Sequence, residues 1–137
     1  TLHEVDNAKV CPICGKVNGT VKLNKVSAAA DDSASVYSAQ LIVRVGTLPN
    51  GRKIITVTFL NAEGQAITLY DAQKIRVSLA ALNAQLGETG AQSFAHTLTS
   101  LNTANGEKSN VGFAVENGTL IFDAPFQSSN ACVLLVD

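Results

Sequence analysis

A chain of 137 residues fits a single domain that can bury a real core, and with a net charge of −1 and only 15% charged residues it carries no field broad enough to grip a phosphate backbone or an anionic bilayer. Nucleic acid is not expected as a partner. Membrane insertion is not expected either, since no apolar run approaches the length of a span.

Residues 1–20 hold one histidine and two of the three cysteines, and read as an N-terminal knuckle or linker ahead of a β-sandwich domain over 21–137. Val21 and Leu23 begin a short strand, and the small polar stretch 27–35, with Asp31 and Asp32 inside it, reads as a loop. From Tyr37 the chain alternates, with Tyr37, Ala39, Leu41, Val43 and Val45 on one face and Ser38, Gln40 and Arg44 on the other, the period of a half-buried strand. Pro49-Asn50-Gly51 then reverses the chain into 53–60, where Ile55, Val57 and Phe59 oppose Ile54, Thr56 and Thr58. The turn Asn61-Ala62-Glu63-Gly64 leads to a strand over 65–70, and 74–79 alternates Ile75, Val77 and Leu79 against Lys74, Arg76 and Ser78.

Leu79, Leu82 and Leu86 share one helix face, which places a short helix near 80–86, whereas Phe94, His96 and Leu98 suit a strand. Residues 111–116 pair with 119–122 across Asn117-Gly118, a two-residue dipeptide suited to a tight hairpin. The apolar run 131–136 is the last strand. Seven or eight strands with hairpin turns and almost no helical period specify an all-β fold, an antiparallel β-sandwich of immunoglobulin-like or jelly-roll-like kind.

Chemistry concentrates in Cys11-Pro12-Ile13-Cys14-Gly15. Two thiolates with two residues between them, a proline opening the turn and a glycine closing it, make half of a tetrahedral zinc site. A redox dithiol would want a helix start and a βαβ setting, and neither pattern surrounds this pair. The remaining nitrogen and sulfur donors are His3, His96 and Cys132. His3, Cys11, Cys14 and Cys132 then form a Cys3His set around a structural zinc that ties the N-terminal segment to the last strand. Two other readings of Cys132 stay open, a small hydrophobe in the core and a disulfide partner. His96 reads as an exposed strand or loop residue.

Catalysis finds little support, because no nucleophile elbow and no phosphate loop is present. The acidic residues Asp31, Asp32, Glu88, Glu107 and Glu116 fall in loops or turns, where solvation is the simplest reading. Asn18-Gly19-Thr20 and Asn117-Gly118-Thr119 match glycosylation acceptors, and Asn-Gly is equally the dipeptide of tight turns.

The opening His3-Glu4-Val5-Asp6-Asn7-Ala8-Lys9-Val10-Cys11-Pro12-Ile13-Cys14-Gly15-Lys16, followed at once by a β-rich domain, resembles segments found between modules of large cell-surface proteins of Gram-positive gut bacteria. In those proteins a His and Cys-x-x-Cys-Gly cluster precedes immunoglobulin-like or similar sandwiches. The resemblance covers the first sixteen residues and implies an extracellular, non-catalytic module concerned with adhesion, spacing or surface assembly.

The functional expectation is thus a secreted or cell-surface module that binds a protein or a glycan, or self-associates through a strand edge. The apolar Val133, Leu134, Leu135 and Val136 give the last strand a surface edge that must be covered, either internally or by a neighbouring subunit. Two alternatives stand beside it. A carbohydrate-binding module would use Tyr37 or Tyr70 as a stacking platform, and a small zinc-dependent hydrolase would need an open metal position beside a carboxylate.

Overall fold

The computed structural model describes residues 3–5, 8–10, 16–17, 21–22, 24–30, 40–47, 52–69, 71–87, 94, 96–101, 108–126 and 131–137. In chain order its elements are β1 (His3–Val5), β2 (Ala8–Val10), β3 (Lys16–Val17), β4 (Val21–Lys22), β5 (Asn24–Val26), β6 (Ala28–Ala30), β7 (Gln40–Thr47), β8 (Lys53–Leu60) and β9 (Gln73–Ser78). The helix α1 (Leu79–Leu86) follows, then β10 (Leu98–Leu101), β11 (Lys108–Val111), β12 (Phe113–Glu116), β13 (Thr119–Ala124) and β14 (Ala131–Val136). The fold is all-β and sandwich-like, with antiparallel pairing throughout the described ladders.

A large sheet runs β11-β10-β14-β8-β7-β5 and a small sheet runs β12-β13-β9-β6. Their inward residues form one core: Val43, Val45, Ile55, Val57, Phe59, Leu98, Cys132 and Leu134 from the large sheet meet Ile75, Val77, Leu120, Phe122 and Ala124 from the small one. Alternation in β9 has the expected cause, since every second side chain leaves water, whereas residues 54–59 of β8 are buried on both faces.

Both edges of the sandwich are turned by strands that change sheets. β5 pairs with β7 in the large sheet, and after Ser27 the same stretch continues as β6 beside β9 in the small sheet. On the opposite side β11 pairs with β10, and after Gly112 the chain continues as β12 beside β13. The four outer strands are thus two bent ones, which is how sheets form corners and limit straight, open edges. The Ser27 carbonyl accepts a hydrogen bond from the Ser78 amide at 3.0 Å, fastening the first corner to the start of α1.

Several expectations are corrected by this topology. The last strand, β14, lies between β10 and β8 in the middle of its sheet, so the run Val133–Val136 is apolar because both faces are buried. It offers no edge for self-association. Residues 28–30 are strand, because the corner needs a partner for β9; of the expected strand over 65–70, the described residues keep isolated bridge positions at Ala66, which pairs with Leu60, and at Leu69. Residues 108–111 belong to the large sheet, separate from the hairpin that follows. Among the described residues the large and small sheets together hold ten strands, against the seven or eight expected.

The helix forms where its leucines predict it. Ser78 caps it, its hydroxyl accepting from the Ala81 amide at 3.4 Å, and Gly87 ends it with φ 75°. Leu79, Leu82 and Leu86 are buried in the shared core, and Asn24 Nδ2 donates to Gln85 Oε1 at 3.2 Å. Asn117 (φ 51°) and Gly118 (φ 74°) make the tight β12–β13 turn with two left-handed residues.

Candidate functional site

The residues expected to bind metal fall in two places. Cys11 and Cys14 lie outside the described residues, between β2 and β3 in the chain. His3 stands on β1 opposite Val10, the residue that precedes Cys11 in the chain. Cys132 is elsewhere. It is 2% exposed, faces the interior with Val57 across the ladder, and burial pushes its thiol well above the ordinary range. A protonated thiol in an apolar core is the small-hydrophobe reading of this position. Among the described residues no group of three or more His, Cys, Asp or Glu side chains is arranged to hold a metal ion.

The open surface of the sandwich is the outer face of the small sheet. There a cleft of about 620 Å³ extends from the Gly112 corner across β12, β13 and β9. Its apolar parts include Ile121, which is only 9% exposed although it points away from the core, and Phe113, held edge-on by Phe94 with ring centroids 5.3 Å apart. Lys74, Asp123 and Glu116 line the same cleft. Register explains their placement: Lys74 stands opposite Asp123, and Glu116 opposite Thr119, all on the outer side of their strands. The three charged side chains are exposed, and among the described residues none makes a hydrogen bond or an ion pair.

A second depression of about 420 Å³ lies beyond Glu116, lined by Ser27, Ala29, Arg76, Ser78 and Asn117 among others, so the recessed surface continues to the opposite corner. Small residues at Ala29 and Ala114 leave room beside the longer side chains of β9 and β13. Volumes of this size fall within the range of ligand sites, roughly 300–1,000 Å³. Donors from Lys74 and acceptors from Asp123 and Glu116 stand beside apolar surface on strands of a packed sandwich, an arrangement that holds a partner by hydrogen bonds and contact area together.

The other chemistry-bearing residues divide similarly. Asp71 is exposed, and its carbonyl accepts from Gln73 Nε2 at 2.9 Å. His96 is partly buried with its ring 5.1 Å from Phe94. Asp31, Asp32, Tyr37, Tyr70, Glu88 and Glu107 lie outside the described residues. The alternation of β9 already placed Lys74 outward, but its alignment with Asp123 depends on a pairing between strands far apart in sequence. No family model matches the chain, and no curated protein matches it in sequence.

Proposed function

We propose that this domain is a non-catalytic interaction module, secreted or displayed at a cell surface, that holds a protein or glycan partner on the outer face of its small sheet. The observation that carries the reading is the cleft in which Lys74, Asp123 and Glu116, without a hydrogen bond or ion pair among the described residues, line the same outer face as the nearly buried Ile121. Charged groups of both signs on rigid strands select a partner by complementarity, and the apolar surface beside them adds contact area. The role is adhesion or surface assembly, in keeping with the resemblance of the first sixteen residues. A structural zinc held through Cys11, Cys14 and His3 would stiffen the N-terminal sheet beside this module.

The test is retention of the purified domain on arrays of immobilised glycans and extracellular proteins, with Lys74→Glu and Asp123→Lys compared with the parent. Retention lost in both variants, at unchanged melting temperature, supports the face. Retention that neither substitution alters places binding elsewhere. Turnover of a glycan that Glu116→Gln abolishes would make the domain an enzyme and overturn the reading.

A further inference from the structure

The large sheet is buried on the side where a two-layer sandwich would meet water. Ile42, Ile54, Thr56, Thr58, Val133 and Leu135 point away from the shared core, yet their exposures run from 0% to 5%. Something within the chain covers them.

The N-terminal sheet has the matching property. Its order is β1-β2-β3-β4, and the register aligns His3 with Val10, Val5 with Ala8, Val10 with Val17 and Val17 with Val21. Residues directly opposite in a ladder share a face, so Val5, Ala8, Val10, Val17 and Val21 belong to one side. Glu4 pairs with Lys9 and Lys16 with Lys22, which puts Glu4, Lys9, Lys16 and Lys22 on the other. One side is thus apolar except for His3, and the other is charged throughout. A four-stranded sheet patterned in this way needs an apolar surface beneath it.

From these two faces we infer that the N-terminal sheet is a third layer, docked over the outer face of the large sheet by the face to which the register assigns Val5, Ala8, Val10, Val17 and Val21. The chain path favours this occupant. Only residue 23 separates β4 from β5, the outermost strand of the large sheet, and β4 runs close to β7 as well. The cover is therefore tethered at the border of the surface it closes, and an apolar sheet that would otherwise invite association is sealed internally. On this account β1, β2, β3 and β4 are part of the folded domain and not a linker to it.

The experiment uses the full chain with labelled Ile, Leu and Val methyl groups. Nuclear Overhauser effects from Ile54, Val133 and Leu135 to Val10, Val17 or Val21 are expected. Contacts from those three residues to another segment, or contacts seen only between differently labelled copies in a mixed sample, would overturn the proposal. Two variants give a second readout. Val17→Asp should raise the fluorescence of an anilinonaphthalene dye severalfold by opening the layer, whereas Lys16→Glu on the charged side should leave it at the parent's level. Equal responses from the two variants would also overturn it.

Discussion

Phe94 meets Phe113 edge-on, with ring centroids 5.3 Å apart and planes at 86°. The contact joins the segment entering β10 to the first residue of β12, so it closes the corner from which the cleft opens. Phe94 is 8% exposed and belongs to the shared core. Truncation to Ala should cost about 3 kcal/mol, from lost burial and the cavity left behind. A double-mutant cycle with Phe113→Leu should return a coupling of about 1 kcal/mol, measured by denaturant unfolding, and a coupling near zero would show that the ring geometry adds nothing beyond area.

The two ends of α1 and the Gly112 corner use small residues for different reasons, which substitution separates. Gly87 has φ 75° and no atom within 4 Å of where a Cβ would stand, so Gly87→Ala should destabilise by about 1 kcal/mol through backbone strain alone. Ser78→Ala removes the cap and should cost about 1 kcal/mol. Gly112 has equal room and no left-handed φ. Gly112→Ala should therefore be neutral or stabilise by about 0.5 kcal/mol, chiefly by stiffening the unfolded chain. Thermal melts of the three variants give the comparison directly.

Much of this architecture is legible in the residues themselves. Ile55, Val57 and Phe59 announce a strand face, Asn117-Gly118 announces its hairpin, and the spacing of Leu79, Leu82 and Leu86 announces the helix. Each signal is local: a period of two or of 3.6, or a dipeptide that tolerates positive φ. What stays hidden is non-local. Val133 and Leu135 read as a strand edge because an apolar run looks the same whether its second face meets another strand layer or water. The bends after Ser27 and at Gly112 carry no distinct composition, and sheet exchange there reassigns β6 and β11. The cleft is hidden for the same reason, because Lys74 and Asp123 become neighbours only through the pairing of β9 with β13.

Arg52 and Asp137 form an ion pair at 2.6 Å, with side chains 24% and 44% exposed. Water screens such a pair, so Arg52→Ala should change stability by about 0.5 kcal/mol, and the difference should shrink in high salt. A loss above about 2 kcal/mol would show that Arg52 contributes mainly through packing of its stem, an effect that salt leaves unchanged.

Cys132 links burial to pH. Its thiol stays protonated in the folded protein because the core disfavours the thiolate, while in the unfolded chain it ionises near its ordinary value of 9.0. Below that value both states hold the proton and stability is unaffected. Above it the unfolded state releases the proton and the folded state keeps it, so stability falls as pH rises, by up to about 1.4 kcal/mol per unit from this residue. Cys132→Val should flatten the profile above pH 9.0, as read from urea midpoints, whereas Cys132→Ser should cost about 2 kcal/mol by leaving a hydroxyl in an apolar site.

The burial of Cys132 also sets what a Cys3His site would require. Its side chain faces the core opposite Val57, so it could serve as a zinc ligand only if the other donors reached it there. His3 stands opposite Val10, the residue that precedes Cys11-Pro12-Ile13-Cys14 in the chain, and three donors with a water are a sufficient zinc set. Purified protein should hold one equivalent of zinc that Cys11→Ser and Cys14→Ser abolish and Cys132→Val retains. Chelation should then lower the melting temperature of the parent and of Cys132→Val alike, since metal affinity is coupled to folding of the segment that binds it. Zinc lost with Cys132→Val at unchanged stability would instead place that thiol among the ligands and require the last strand to open toward the N-terminal sheet. Less than a tenth of an equivalent in the parent would leave the cysteine pair as an ordinary turn.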